Sequence, residues 1–139
     1  LFGKSNDEAK YIITGNNRDI NRYKWNYKNI SKKLDNKNSK QSIFYQKISN
    51  LLNIRRKQKA FHPNAKRSNV NLGSKIFCFK RISIDKKQTI ICITNLSSKN
   101  QTPKLDINLS NYKNLIDSKT KFKKKEITLK PFQTMWITK

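Results

Sequence analysis

The hydrophobic period of this chain changes once, near residue 65, and that change limits the folds open to it. Before it, Phe44, Ile48, Leu51, Leu52 and Arg55 fall at i, i+4, i+7, i+8 and i+11. That is one stripe of a 3.6-residue period, the mark of an amphipathic helix. After it, residues 75–81 and 89–94 are short runs rich in β-branched and aromatic side chains, the mark of strands. Polar residues 85–88 between them are long enough for a hairpin loop. The order predicts an α+β chain: helices first, then a small antiparallel β domain.

Within the first part, Asn6-Asp7-Glu8 precedes the run 9–13 and Gly15 follows it. An Asn cap, acids in the first turn and a terminal glycine predict a helix of about two turns. The polar stretch 16–22 has no period and reads as a loop. Residues 25–34 hold a second short helix, ended by Asp35-Asn36. The main helix, about 41–56, starts after Asn38-Ser39 and carries Arg55, Arg56 and Lys57 in its last turn, where cations suit the negative end of the helix dipole. Pro63 then disfavours helical geometry at the residue before it. In the second part, further strand candidates are 104–109, 114–117, 126–129 and 132–138, while the lysine-rich 119–125 reads as a loop or a charged edge.

Composition narrows the function classes. With 139 residues and 35% apolar content, the chain can form one modest domain, or a small domain plus a piece of another. No apolar run approaches the roughly 20 residues needed to span a bilayer, so no membrane partner is expected. Opening at Leu1-Phe2-Gly3-Lys4 without Met or a secretory leader reads as an internal segment. Two cysteines, Cys78 and Cys92, are too few for a disulfide framework or a complete zinc site. A reduced, cytoplasmic, metal-free protein is the expectation. The formal net charge of +24 raises an alternative, a basic nucleic-acid-binding module. The charge is mostly lysine, however, and is dispersed along the whole chain. Non-specific polyanion binding at low salt is therefore the expected consequence.

Four stretches carry a family resemblance. They are Leu1-Phe2-Gly3 with Asn6-Asp7; Thr14-Gly15-Asn16-Asn17-Arg18-Asp19-Ile20-Asn21-Arg22; Leu51-Leu52-Asn53-Ile54-Arg55-Arg56 running into Gln58-Lys59-Ala60-Phe61-His62-Pro63-Asn64-Ala65; and Leu129-Lys130-Pro131-Phe132-Gln133-Thr134-Met135-Trp136-Ile137. Together they resemble the C-terminal third of the sucrose phosphorylase / glucosylglycerate phosphorylase branch of glycoside hydrolase family 13, the α-amylase family. The resemblance implies a layout. Residues 1–65 would be the end of a (β/α)8 barrel, with helix 41–56 its last helix, and 68–139 the C-terminal antiparallel β domain. The loop bearing Arg18 and Arg22 would then lie on the catalytic face, where loops after barrel strands gather.

The chemistry implied is retaining glucosyl transfer by two carboxylates about 5–5.5 Å apart, with inorganic phosphate as co-substrate and no other cofactor. The family's catalytic acids match none of the eight acids here, so no catalytic residue is carried over. Arg18 and Arg22 are candidates for phosphate or acceptor sugar, since guanidinium groups make paired bonds to anions. Asp19 and Asn21 would orient them or bond a sugar hydroxyl. The competing structural reading is that all four knit the loop to the barrel rim. His62 reads as a turn residue before Pro63, Cys78 and Cys92 as packing residues, and Phe77, Phe79, Phe132 and Trp136 as core aromatics of the β domain. Trp25 and Tyr23 stand nearer the cationic loop.

Overall fold

Gly15 ends the first helix because it alone can take the left-handed turn cheaply: its φ is +63° and its amide closes back on the Tyr11 carbonyl at 2.7 Å, the αL stop. The computed structural model describes residues 8–20, 25–122 and 124–139. They fall into two compact units, Leu1–Asn50 and Leu51–Lys139.

The first unit is helical. Helix α1 is Glu8–Thr14 and α2 is Asn17–Ile20. The second of these corrects the expectation of a plain loop over 16–22. Asn16 turns the chain into α2, its Oδ1 accepting from the Arg18 amide at 3.0 Å, so the asparagine acts as a cap rather than as a loop filler. Helix α3, Tyr27–Asp35, is capped by Asn26, whose side chain accepts from the Asn29 amide. Helix α4, Lys40–Arg56, starts where Ser39 Oγ accepts from the Ser42 amide at 3.0 Å. The division between the units falls inside α4. Its apolar stripe is only partly covered: Ile48 and Leu52 are 39% and 52% exposed.

The second unit is a five-stranded antiparallel sheet in the order β1-β2-β3-β5-β4. The strands are β1 Lys66–Asn69, β2 Ile76–Ile82, β3 Thr89–Asn95, β4 Lys113–Asn114 and β5 Thr134–Thr138. β1 lies ahead of Val70, where the apolar pattern begins, because an edge strand of polar residues leaves no hydrophobic signature. The candidates 104–109 and 126–129 form only isolated bridges, Lys104 with Glu126 and Gln101 with Leu129, and 114–117 contributes one strand residue, Asn114 of β4. The apolar side chains of 104–109 and 126–129 serve a different end. Leu105, Leu109, Ile127 and Leu129 point onto the sheet and close one face over Ile76, Cys78, Ile91, Ile93, Met135 and Ile137.

Central strand β3 is buried on both sides. Ile91 and Ile93 enter that main core, while Ile90 and Cys92 face a second, smaller one. There Ala60, Phe61, Phe79, Leu115 and Trp136 gather, with the Phe61 and Trp136 rings edge to face at 4.8 Å. Burial of an isoleucine side chain such as Ile93 stabilises by roughly 1.5–3 kcal/mol. Among the described residues no helix is long and apolar enough to cross a membrane.

Candidate functional site

Of the four residues singled out on the cationic loop, Arg18 and Asp19 are described; Asn21 and Arg22 lie outside the described residues, as does Tyr23. Arg18 is the second residue of α2 and is exposed. Its side chain has no hydrogen-bond or ion-pair partner among the described residues. Asp19 differs. One carboxylate oxygen pairs with Lys10 Nζ at 2.9 Å and the other accepts from the Thr14 hydroxyl at 2.8 Å. Asp19 thus ties the start of α2 back to α1 and fixes the turn from which Arg18 projects. Two neighbours in sequence have opposite situations: a committed acid and an unpaired guanidinium.

The other sequence candidates have structural partners. His62 Nδ1 accepts from the Asn64 amide at 3.2 Å, a turn contact. Trp25 carries the Lys33 ammonium 5.1 Å above its ring. Phe79 and Trp136 join the smaller core of the sheet. Phe77 and Phe132 do not: they are 44% and 69% exposed, a departure from the expected core position; Phe77 lies against the Phe79 ring, centroids 5.4 Å apart, but not in the small core itself. The Arg67 guanidinium sits 4.7 Å over Phe79 and 5.9 Å over Phe77, shielding part of both rings. Among the described residues no group of three or more His, Cys, Asp or Glu side chains is placed to hold a metal ion.

Cys78 and Cys92 are buried and unbridged. The register pairs Cys78 with Ile93 and Phe79 with Cys92, so the two thiols point to opposite faces of the sheet. Burial pushes Cys78 up to about 11 and Cys92, chiefly by burial and secondarily by Cys78, to about 12. A thiol whose folded pKa is raised contributes stability below its unfolded value, and that contribution is lost as pH rises past it. We expect neither thiol to react with a disulfide reagent near pH 8 until the chain unfolds. Both should then be titrated together, and rapid labelling of the folded chain would contradict this burial.

Asp85 is held at about 2, first by the Ser83 hydroxyl, then by Lys59 and the Lys87 amide. The Ser83 Oγ to Asp85 distance is 2.6 Å. Its contribution is present above the ordinary carboxylate range and is lost as pH falls through about 2. It is a loop contact of the β2–β3 hairpin and has no second carboxylate beside it among the described residues.

Comparison with known proteins adds what geometry cannot. No family profile matches the chain. It is 30% identical, over 139 residues covering 99% of its length, to glucosylglycerate phosphorylase of Escherichia coli K12, and spans 24% of that protein. It is likewise 30% identical over 97 residues, 70% of its length, to glucosylglycerate phosphorylase of Spirochaeta thermophila, spanning 16% of it. Among solved structures, AmyP in complex with maltose superposes on 73% of the chain with a TM-score of 0.59 at 17% identity, using 21% of the AmyP chain. The fold is shared with that structure, and the chain corresponds to about a quarter or less of each of these proteins.

Proposed function

We propose, on the premise that this chain belongs to the α-amylase family, glycoside hydrolase family 13, and corresponds to its C-terminal part, that it is the non-catalytic end of a retaining glucosyl-transferring enzyme. The reaction assigned is phosphorolysis of glucosylglycerate, or of a related glucoside such as sucrose, to glucose 1-phosphate. The observation that carries this reading is the 30% identity along nearly the whole chain to a glucosylglycerate phosphorylase.

In such a reaction one carboxylate attacks the anomeric carbon while a second protonates the leaving oxygen, and phosphate then takes the place of water in the second displacement. Both carboxylates belong to parts of the enzyme outside these residues. What this chain supplies is a cation and a brace. Arg18, exposed and without a side-chain partner among the described residues, has the charge and the fork of donors to hold phosphate oxygens, with Arg22 four residues on as a second candidate. Asp19, bound to Lys10 and Thr14, holds the turn that presents Arg18. The sheet of the second unit carries no part of the chemistry in this reading; it supports the end of the last barrel helix, α4. Two free, buried thiols fit a reducing, cytoplasmic setting.

The test is a chimera. Grafting this chain in place of the matching quarter of the E. coli enzyme should leave phosphorolysis of glucosylglycerate measurable. The chain alone should release no glucose 1-phosphate from glucosylglycerate or sucrose. A folded but inactive chimera, or activity in the isolated chain, would overturn the reading.

The charge supports one separate behaviour. At about 0.05 M salt the chain should bind DNA and RNA alike, and that binding should disappear by about 0.2 M, as counterion release dictates. Sequence-preferring binding that persists at the higher salt, seen in a fluorescence anisotropy titration, would favour the nucleic-acid module instead.

A further inference from the structure

Between α4 and the sheet the chain makes a single 3-10 turn, Lys59–Phe61, and its middle residue, Ala60, is fully buried. A buried peptide must have both of its polar atoms satisfied, and here side chains of the sheet do it from both sides. The Ala60 amide donates to Gln88 Oε1 at 2.9 Å. The Ala60 carbonyl accepts from Arg81 Nε at 2.8 Å. Arg81 extends the grip, its Nη2 donating to the His62 carbonyl at 2.6 Å. None of these acceptors is a carboxylate, so the arginine's charge is used on main-chain carbonyls, where such bonds are strong.

Gln88 also reaches the helix. Its Nε2 donates to Gln58 Oε1 at 2.7 Å, and Gln58 Nε2 donates in turn to the carbonyl of Ile54 at 3.2 Å. Ile54 is in the last turn of α4, and its carbonyl also accepts from the Lys57 amide at 3.2 Å. Two amides in series therefore link the sheet to the end of the helix. Gln88 is itself held at the base of the β2–β3 hairpin, its amide donating to Ser83 Oγ at 2.9 Å and its carbonyl accepting from the Ser83 amide at 2.9 Å. All these residues lie within the unit Leu51–Lys139.

We propose that Arg81 and Gln88 form a latch that fastens the last turn of α4 and the Lys59–Phe61 turn to the β2–β3 hairpin, so that helix end and sheet move as one body. Opening the latch frees the helix end while the sheet stays folded. The purpose of the latch rests on the reading of the sheet as a brace for a barrel's last helix; its geometry does not. Its consequence is that the sheet would act on the reaction only through this fastening.

Native-state hydrogen exchange on the full 139-residue chain tests it, in Gln88→Leu and Arg81→Met. The amides of residues 57–62 should exchange at least about tenfold faster, the scale of one or two lost hydrogen bonds. Those of β3 and β5 should stay within about twofold of the parent chain, since local opening leaves distant protection in place. Gln88→Glu keeps an acceptor for the Ala60 amide and should restore much of its protection. If Arg81→Met does not fold, Gln88→Leu, which leaves the arginine bonds in place, carries the test. Unchanged exchange over 57–62, or equal acceleration throughout the sheet, would overturn the latch. Neither readout involves sugar chemistry, so an inactive chimera would leave this inference standing, and the reverse.

Discussion

Replacing Asn95 with Ala should lower the unfolding free energy of the sheet unit by roughly 3–5 kcal/mol, the sum expected when several buried polar groups lose their partners at once. Asn95 ends β3 and is 0% exposed. Its Nδ2 donates to the Lys99 carbonyl at 2.7 Å and to the Lys130 carbonyl at 2.9 Å. Its Oδ1 accepts from the Ser97 amide at 2.9 Å and the Ser97 hydroxyl at 2.8 Å. One side chain thus joins the end of the central strand to the turn after it and to the segment that leads into β5. Truncation leaves a buried hole and takes the partner from part-buried carbonyls, and each such group costs up to about 1–3 kcal/mol. Against a total stability of about 5–15 kcal/mol for a domain, that loss is decisive.

Asn95→Asp separates donor from acceptor. It keeps the Ser97 contacts, loses the two carbonyl bonds, and places a carboxylate against carbonyl oxygens, so it should be no more stable than the alanine variant near neutral pH. Urea denaturation followed by tryptophan fluorescence reads both, since Trp136 is in the same sheet. A loss below about 1 kcal/mol for Asn95→Ala would mean that the turn re-forms its bonds without the side chain.

Asn95 also shows what the sequence could and could not reveal. The strand run 89–94 is legible because five of its six residues are β-branched; the asparagine that follows looks like one more polar turn residue. Its burial depends on Lys130 arriving from 35 positions downstream, and no local pattern encodes that arrival. The same holds for Arg81 and Gln88. A lone arginine at the end of the apolar run Ile76-Phe77-Cys78-Phe79 was the available hint, but its partner, the Ala60 carbonyl, lies 21 residues away. Helices α1, α3 and α4 were legible, and α2 was not; Gly15, Asn26 and Ser39 stop or cap their helices through contacts within a few residues. Strand β1 was not, because its Lys66-Arg67-Ser68-Asn69 has no apolar member; it is held by backbone pairing to residues 79–82, with Arg67 over Phe79. The segments 104–109 and 126–129 read as strands in the sequence, yet they bury Leu105, Leu109, Ile127 and Leu129 with no more than isolated bridges. In the fold that burial comes from loops laid on the sheet, for which a period of two is equally suitable.

At the candidate site, too, local pattern leaves the side-chain contacts unread. The resemblance casts Arg18 as an anion binder and Asp19 as a residue that orients it or knits the loop, and the motif by itself shows no contact of either. The structure gives those of Asp19. With Asp19 spent on Lys10 and Thr14, the pair divides into an anchor and a cation with no partner among the described residues, and this division makes an unequal mutational outcome the natural expectation.

In the chimera with the E. coli enzyme, Arg18→Ala should raise the KM for phosphate by about 10- to 100-fold, the loss of one or two charge-assisted bonds. The KM for glucosylglycerate should move by no more than about twofold, because the guanidinium would act on the second reactant only. Arg18→Lys keeps the charge but loses the fork of donors, and should recover only part of the loss. Raising salt should weaken phosphate saturation in the parent more than in Arg18→Ala, since an exposed ion contact is screened and an absent one is not. Asp19→Asn should behave differently: it removes the charge that pairs with Lys10 and loosens the turn, lowering kcat and raising both KM values modestly instead of selecting phosphate. Steady-state kinetics with each substrate varied in turn separate the two patterns. An Arg18→Ala chimera with an unchanged phosphate KM would place this arginine with its neighbour among the groups that only hold the loop.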